Sequence, residues 1–174
     1  SGSVPTPDPR FGGIGPEFSW RPEDVPSTTL FAEDLVYQLG LGSVTVYTEP
    51  GGLPDGGHIT VSTSIDYDGT TDTSLTLDAE ASLTVDPSVG IVSSGGAELD
   101  IALLADDGIE IGASGEGAGP IRSNGGDILL ENRVSGDINV HVASVIDARS
   151  GGGGAADPGG NIAIRNVNGN IAIG

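Results

Sequence analysis

The segment Asp66-Tyr67-Asp68-Gly69-Thr70-Thr71-Asp72 sets three carboxylates around a glycine turn. Hard oxygen ligands at alternate positions can wrap one cation, and this spacing begins as a calcium loop does. The twelfth position of such a loop, where a bidentate acid closes the cage, is Leu77. Two expectations therefore stand at Asp66, Asp68 and Asp72: a Ca²⁺ site without its closing ligand, or an ordinary solvated Asp-Gly turn. No other cofactor is expected.

Asp106 and Asp107, with Glu110 nearby, have the makings of a carboxylate pair for glycoside chemistry. That chemistry needs an acid and a base at a set separation along a groove, usually with aromatic platforms for the sugar rings. Beyond Tyr67 the chain has no aromatic residue, so turn carboxylates are the better account. His58 and His141 each lack a second His or Cys at ligand spacing and read as outward-facing surface residues. No serine sits in a nucleophile elbow. The run Gly151 to Gly154 leads into Ala155, Ala156 and Asp157 rather than Lys and Ser/Thr, so it is not a phosphate loop. Thr45, Thr60, Thr76 and Thr84 suggest a threonine-bearing face, but later rounds place Asp100, Glu110, Asn139 and Ala163 there. No catalytic residue is expected.

What repeats is architecture. After Gly42 the apolar period becomes two, the mark of strands with one face buried. Cut at each Gly-rich turn, the chain gives a first apolar pair at Val44/Val46, Leu75/Leu77, Leu99/Ile101, Ile128/Leu130 and Ile162/Ile164. A second pair follows at Ile59/Val61, Leu83/Val85, Ile109/Ile111, Ile138/Val140 and Ile171/Ile173, and a third inward position at Ile65, Ile91, Ile121 and Ile146. First pairs recur after 31, 24, 29 and 34 residues, so the strands persist while the corners between them vary. Hairpins of a sandwich or up-and-down barrel would not naturally recur as triplets. The expected fold is all-β: a parallel β-helix over 43–174, of about five rungs with three short strands each, stacking like aliphatics in interior ladders. One such ladder is expected to hold Leu77, Ile101, Leu130 and Ile164, and another Leu83, Ile109, Ile138 and Ile171.

Residues 28–42 read as one capping helix, with Thr29 as N-cap, an apolar stripe of Leu30, Phe31, Leu35 and Leu39, and Gly40 at its end. Such a cap suits an array whose end rung would otherwise expose unpaired backbone groups. Residues 1–27 hold six of the eleven prolines and read as an arm or linker, although Phe11, Phe18 and Trp20 are more apolar than a spacer requires.

The net charge of -19, with six basic residues that are all Arg, repels phosphate backbones and anionic headgroups. Nucleic acid and direct membrane insertion are excluded as partners on that ground and for want of a long apolar run. There is no Cys, so no disulfide and no thiolate chemistry. The acidic surface keeps a repetitive β-protein soluble and opposes edge-to-edge association.

The runs LVYQLGLGSVTVYTE, GGHITVSTSI, TSLTLDAEASLTV, GIVSSGGAELDI, GGDILL and GGNIAIRNVNGNIAIG, spanning roughly 30 to 174, resemble the filamentous haemagglutinin type of bacterial exoprotein. The resemblance implies a right-handed β-helix in a large adhesin exported by two-partner secretion, serving adhesion or biofilm scaffolding outside the cell or on its surface. It also implies other copies or further repeats of the same shaft as neighbours, and a host or neighbouring-cell glycan or protein as target. Secretion domains of that type usually carry Asn-Pro-Asn-Gly turns near their start. Here Asn166-Val167-Asn168-Gly169 lies far along the chain instead, which fits an internal shaft segment. Ile171 and Ile173 stand in the middle of a round. Either the shaft continues past them, or the open end receives a second subunit head to tail, strapped by Phe11, Phe18 and Trp20.

Overall fold

The structure, a computed structural model, describes residues 11–12, 17–20, 29–48, 56–151 and 159–174. In chain order β1 (Phe11–Gly12), β2 (Glu17–Trp20) and α1 (Ala32–Leu39) precede a coil of β3 (Ser43–Tyr47), β4 (Ile59–Val61) and β5 (Ile65–Tyr67). The second coil is β6 (Thr73–Ala79), β7 (Leu83–Val85) and β8 (Ile91–Ser93); the third is β9 (Leu99–Ala105), β10 (Ile109–Ile111) and β11 (Ile121–Arg122). The fourth is β12 (Ile128–Asn132), β13 (Ile138–Val140) and β14 (Ile146–Asp147), and a fifth begins with β15 (Ile162–Asn166) and β16 (Ile171–Ile173). Equivalent strands pair in parallel into three sheets, ordered β1-β2-β3-β6-β9-β12-β15, β4-β7-β10-β13-β16 and β5-β8-β11-β14. This is a right-handed parallel β-helix of about four turns.

Strand alternation fixes the inside. In β6 and β9 every second residue is buried, so Leu75, Leu77, Ala79, Leu99, Ile101, Leu103 and Ala105 join one core with Leu83, Ile91, Ile109, Ile121, Ile128 and Ile138. Each such aliphatic contributes roughly 1.5–3 kcal/mol on burial, which lets a chain with few aromatics fold. Two ladders are those the spacing gives: Ile59, Leu83, Ile109, Ile138 and Ile171 in the second sheet, and Ile65, Ile91, Ile121 and Ile146 in the third.

The first sheet departs from expectation by two residues. Ile101 stacks between Leu75 and Ile128, and Leu103 takes the place between Leu77 and Leu130 that the spacing assigned to Ile101. A slip of two keeps every side chain on its own face, so the apolar period cannot detect it. β9 offers four inward positions, Leu99, Ile101, Leu103 and Ala105, and the corner that follows selects among them by setting Ala79, Ala105, Asn132 and Asn166 in one column.

The helix is shorter than 28–42 and is entered differently. Phe31, not Thr29, is its N-cap, in extended conformation with no side-chain cap, and its carbonyl accepts from the Asp34 and Leu35 N–H groups. Phe31 points outward at 59% exposure, while Leu35, Gln38 and Leu39 are buried as α1 packs on β3, β5 and β6. That position covers the first coil, as an end cap must. Two strands also fall within the Pro-rich arm: β2 adds in parallel to β3, and β1 folds back antiparallel on β2. An edge strand templates its neighbour through backbone bonds, which need no apolar period in the added segment.

Two substitutions test this interior. Leu103→Ala, at a fully buried site, is expected to lower unfolding free energy by about 2–5 kcal/mol. Thr73 faces inward with its hydroxyl buried and unpartnered, so Thr73→Val is expected to raise stability by about 1 kcal/mol. Urea denaturation followed by circular dichroism measures both.

Candidate interaction surface

The three aspartates of the calcium-like segment do not converge. Asp66 projects outward from β5, Asp68 and Asp72 are exposed, and no group of three His, Asp or Glu able to hold a metal ion occurs among the described residues. The segment has another organisation. The Tyr67 ring is buried, its hydroxyl donates to the Thr71 carbonyl at 2.7 Å, and a Cβ at Gly69 would collide with that ring. Asp72 Oδ1 accepts the Glu98 N–H of the next coil at 2.9 Å.

That last bond recurs. Asp100 Oδ1 accepts the Asp127 N–H at 2.7 Å, Asp127 Oδ1 the Asn161 N–H at 2.6 Å, and Asp137 Oδ1 the Asn170 N–H at 2.7 Å. Each carboxylate takes a donor from the coil above it, where a corner leaves an N–H outside the ladder. The acidic residues are in this respect fasteners between coils.

Asp106, Asp107 and Glu110 are likewise assigned to separate partners. Arg133 donates through Nε to Asp106 and through Nη2 to Asp78, both at 2.7 Å, so one guanidinium on the fourth coil clamps carboxylates from the second and third. Burial opposes the cation, but the bonds to Asp78 and Asp106 outweigh it and raise the Arg133 pKa. Asp107 accepts from the Ser135 hydroxyl at 2.8 Å. Glu110 accepts from Asn139 Nδ2 at 3.0 Å and makes a very short contact with His141 Nε2. His141 is thus half-buried against a carboxylate rather than free on the surface, whereas His58 is exposed and meets the Ser82 hydroxyl at 2.7 Å.

Two asparagines that residue counting passed over hold the corners. Asn132 is fully buried between β12 and β13: its Oδ1 accepts the Gly108 N–H at 3.1 Å, and its Nδ2 donates to Ser135 O, to Gly136 O at 2.9 Å and to Asn166 Oδ1 at 3.2 Å. Asn166 repeats the arrangement one coil on, donating to Asn170 O at 2.9 Å. At another corner Asn124, at φ 53°, donates to Gly95 O and Ala97 O and accepts the Gly151 N–H. The signal for the first pair was present as Asn132-x-x-x-Gly136-Asp137-Ile138 and Asn166-x-x-Gly169-Asn170-Ile171.

What the surface offers is therefore corners and one end. Between β10 and β11 the chain makes a small ordered loop closed by Ala113 N–H to Glu116 O at 2.7 Å and the reciprocal bond at 2.9 Å, with Ser114, Gly115 and Glu116 exposed. The corners at 49–55 and 152–158 lie outside the described residues, as do the side chains of Phe11, Phe18 and Trp20. At the end away from α1, Ile162, Val167, Ile171 and Ile173 are exposed, the last at 66%. Beside them, between β14 and the start of β15, an open cleft of about 350 Å³ is lined by Val145, Ile146, Ala148, Arg149 and Ile162 among others. Comparison with protein-family models, with curated proteins and with solved structures finds no match to this chain.

At the rim of the cleft Arg149 donates to both oxygens of Asp147, at 2.8 and 2.7 Å, and these bonds hold the Asp147 carboxyl down at about 2 against an ordinary 3.8. A depressed folded-state value means that the stabilisation is present above the ordinary carboxyl range and is lost as pH falls toward 2. In Arg149→Met the Asp147 titration, followed by NMR, is expected to move up toward 3.8. Asn132→Ala is expected to cost about 1–3 kcal/mol for each buried group left unpaired, and to expose the Gly108 amide to hydrogen exchange.

Proposed function

We propose that this chain is a non-enzymatic scaffold segment of a secreted or surface-attached bacterial adhesin of the filamentous haemagglutinin type, in which the β-helix is the shaft and its corner loops meet the target. The observation that carries this reading is the division of labour along each coil. Three strands per coil are held in strict parallel register, while the corners between them differ in length and composition. A binding surface made of loops on a rigid frame is how such scaffolds diversify without losing their core.

The acidic side chains that invite a catalytic reading support a structural one better. Asp106, Asp107 and Glu110 are each engaged by a different side chain, and no acid and base face one another across a groove. The target on this reading is a glycan or protein on a host or neighbouring cell, met by exposed polar loops such as Ser114 to Glu116.

A glycan panel and a panel of cell-surface proteins test it. Saturable binding without products is expected, and replacing residues 113–118 by a tight Gly-containing turn is expected to weaken binding by at least tenfold while leaving the circular dichroism spectrum unchanged. Release of shortened glycans would overturn the non-enzymatic reading, and unchanged binding by the loop variant would remove that corner from the contact.

A further inference from the structure

We infer that the end of the β-helix opposite α1 is a self-complementary docking face for a second copy of the chain, joined about a two-fold axis into a closed tail-to-tail dimer. The inference rests on the shape, charge and hydrogen-bonding state of that end, independently of what the loops bind.

The shape is a staircase. One coil climbs about 4.8 Å, the spacing of paired strands, so each of the three faces is offset from the previous one by about a third of that. Among the described residues the faces end on β14, β15 and β16, in order of rising height. Let a two-fold axis cross the solenoid axis at right angles through the sheet of β15. It sets β15 against its own copy and exchanges the other two sheets, so the high β16 of each molecule falls on the low β14 of the other. Highest meets lowest, middle meets middle, and the gap is the same on all three faces.

The parts match at close range. β16 presents Ile171 at 44% and Ile173 at 66% exposure, and the cleft alongside β14 is lined by Val145, Ile146, Ala148 and Ile162. The partner's β16 lies over that apolar cleft, and strands related by the axis run antiparallel, the better hydrogen-bonded pairing. β14, β15 and β16 are each the last strand of their sheet among the described residues, so each offers one edge of backbone donors and acceptors.

Charge selects the same end. Each of the four coils from Ser43 to Pro158 carries at least four acidic residues, whereas residues 159–174 carry none and one cation, Arg165. In a chain of net charge -19 this is the one stretch of the helix where two copies approach without facing carboxylates, and depletion of charge is what distinguishes the core of an interface. The opposite end is closed by α1, with Glu33 and Asp34 in its first turn, and offers no strand to receive β16 in the second sheet. Head-to-tail growth lacks a matching surface; the isologous contact uses one surface twice and stops at two.

The test is mass in solution for the full 174-residue chain. Sedimentation equilibrium is expected to show a species of twice 17.3 kDa whose mass stops rising with concentration, and whose population grows with salt as the repulsion between acidic chains is screened. Ile173→Asp, at an exposed site that leaves the core intact, is expected to give a monomer with an unchanged circular dichroism spectrum. Geometry is read separately by single-cysteine chains, since the native sequence has none. A mixture of Ile173→Cys and Val145→Cys chains is expected to cross-link under diamide, and neither variant alone. A monomer at all concentrations overturns the inference, as does mass that rises without limit, which is the head-to-tail outcome, or cross-linking of the Ile173→Cys chain with itself.

Discussion

Every coil of this molecule is completed by its neighbours. A strand of three residues, such as β4, β7 or β10, has too little surface to bury a side chain by itself and too few bonds to hold its own backbone. Stacked in register, the same strands supply each other with both, and the interior becomes continuous columns of Leu, Ile and Val. Register is therefore the quantity on which core, surface and ends all depend. It is set at the corners, where the backbone leaves the sheets and its polar groups need partners.

The corners meet that need in two ways, inside and out. Inside, Asn132, Asn166 and Asn124 use an amide that both donates and accepts, so one side chain ties its own turn to those of adjoining coils. Outside, Asp72, Asp100, Asp127 and Asp137 accept an N–H from the following coil. Glycine is required where successive backbones come close: at Gly169, with φ 154°, a Cβ would strike the Gly136 carbonyl. The same carboxylates that fasten the stack give the surface its charge, so lateral aggregation of flat sheets is opposed by groups already needed for folding.

These roles explain what could be read in the chain beforehand. Fold class, strand positions, inward faces and two of the three ladders follow from a period of two broken by Gly-rich turns, because that period reports burial directly. The two-residue slip in the first sheet was invisible to it, since Ile101 and Leu103 are both inward and both aliphatic. Thr29 satisfies the residue preferences of an N-cap, yet the helix begins after Phe31, where packing of Leu35 and Leu39 on the first coil decides its phase. The Asp66 to Asp72 spacing looked like a cation loop because sequence gives distances along the chain only. In space the buried Tyr67 ring organises that corner, and the partners of Asp72, Asp78, Asp106 and Arg133 come from other coils, 26 to 55 residues away. Arg133 as a clamp over three coils is unreadable from local pattern for the same reason.

Strands and corners are thus under different constraints. An inward residue must match those above and below it in shape, so Leu130 answers to Leu103 and Ile164 together. A corner has only to return the chain to the next strand with its backbone groups paired, and a carboxylate or an amide does that locally, whatever the length of the loop outside it. Counted by the observed register, successive coils from Val44 through Leu75, Ile101, Ile128 and Ile162 take 31, 26, 27 and 34 residues, and all of that variation is absorbed outside the ladders. Variation that leaves the core untouched is what a binding surface needs. In this fold it is available at every corner, repeated at intervals of about 4.8 Å along the shaft.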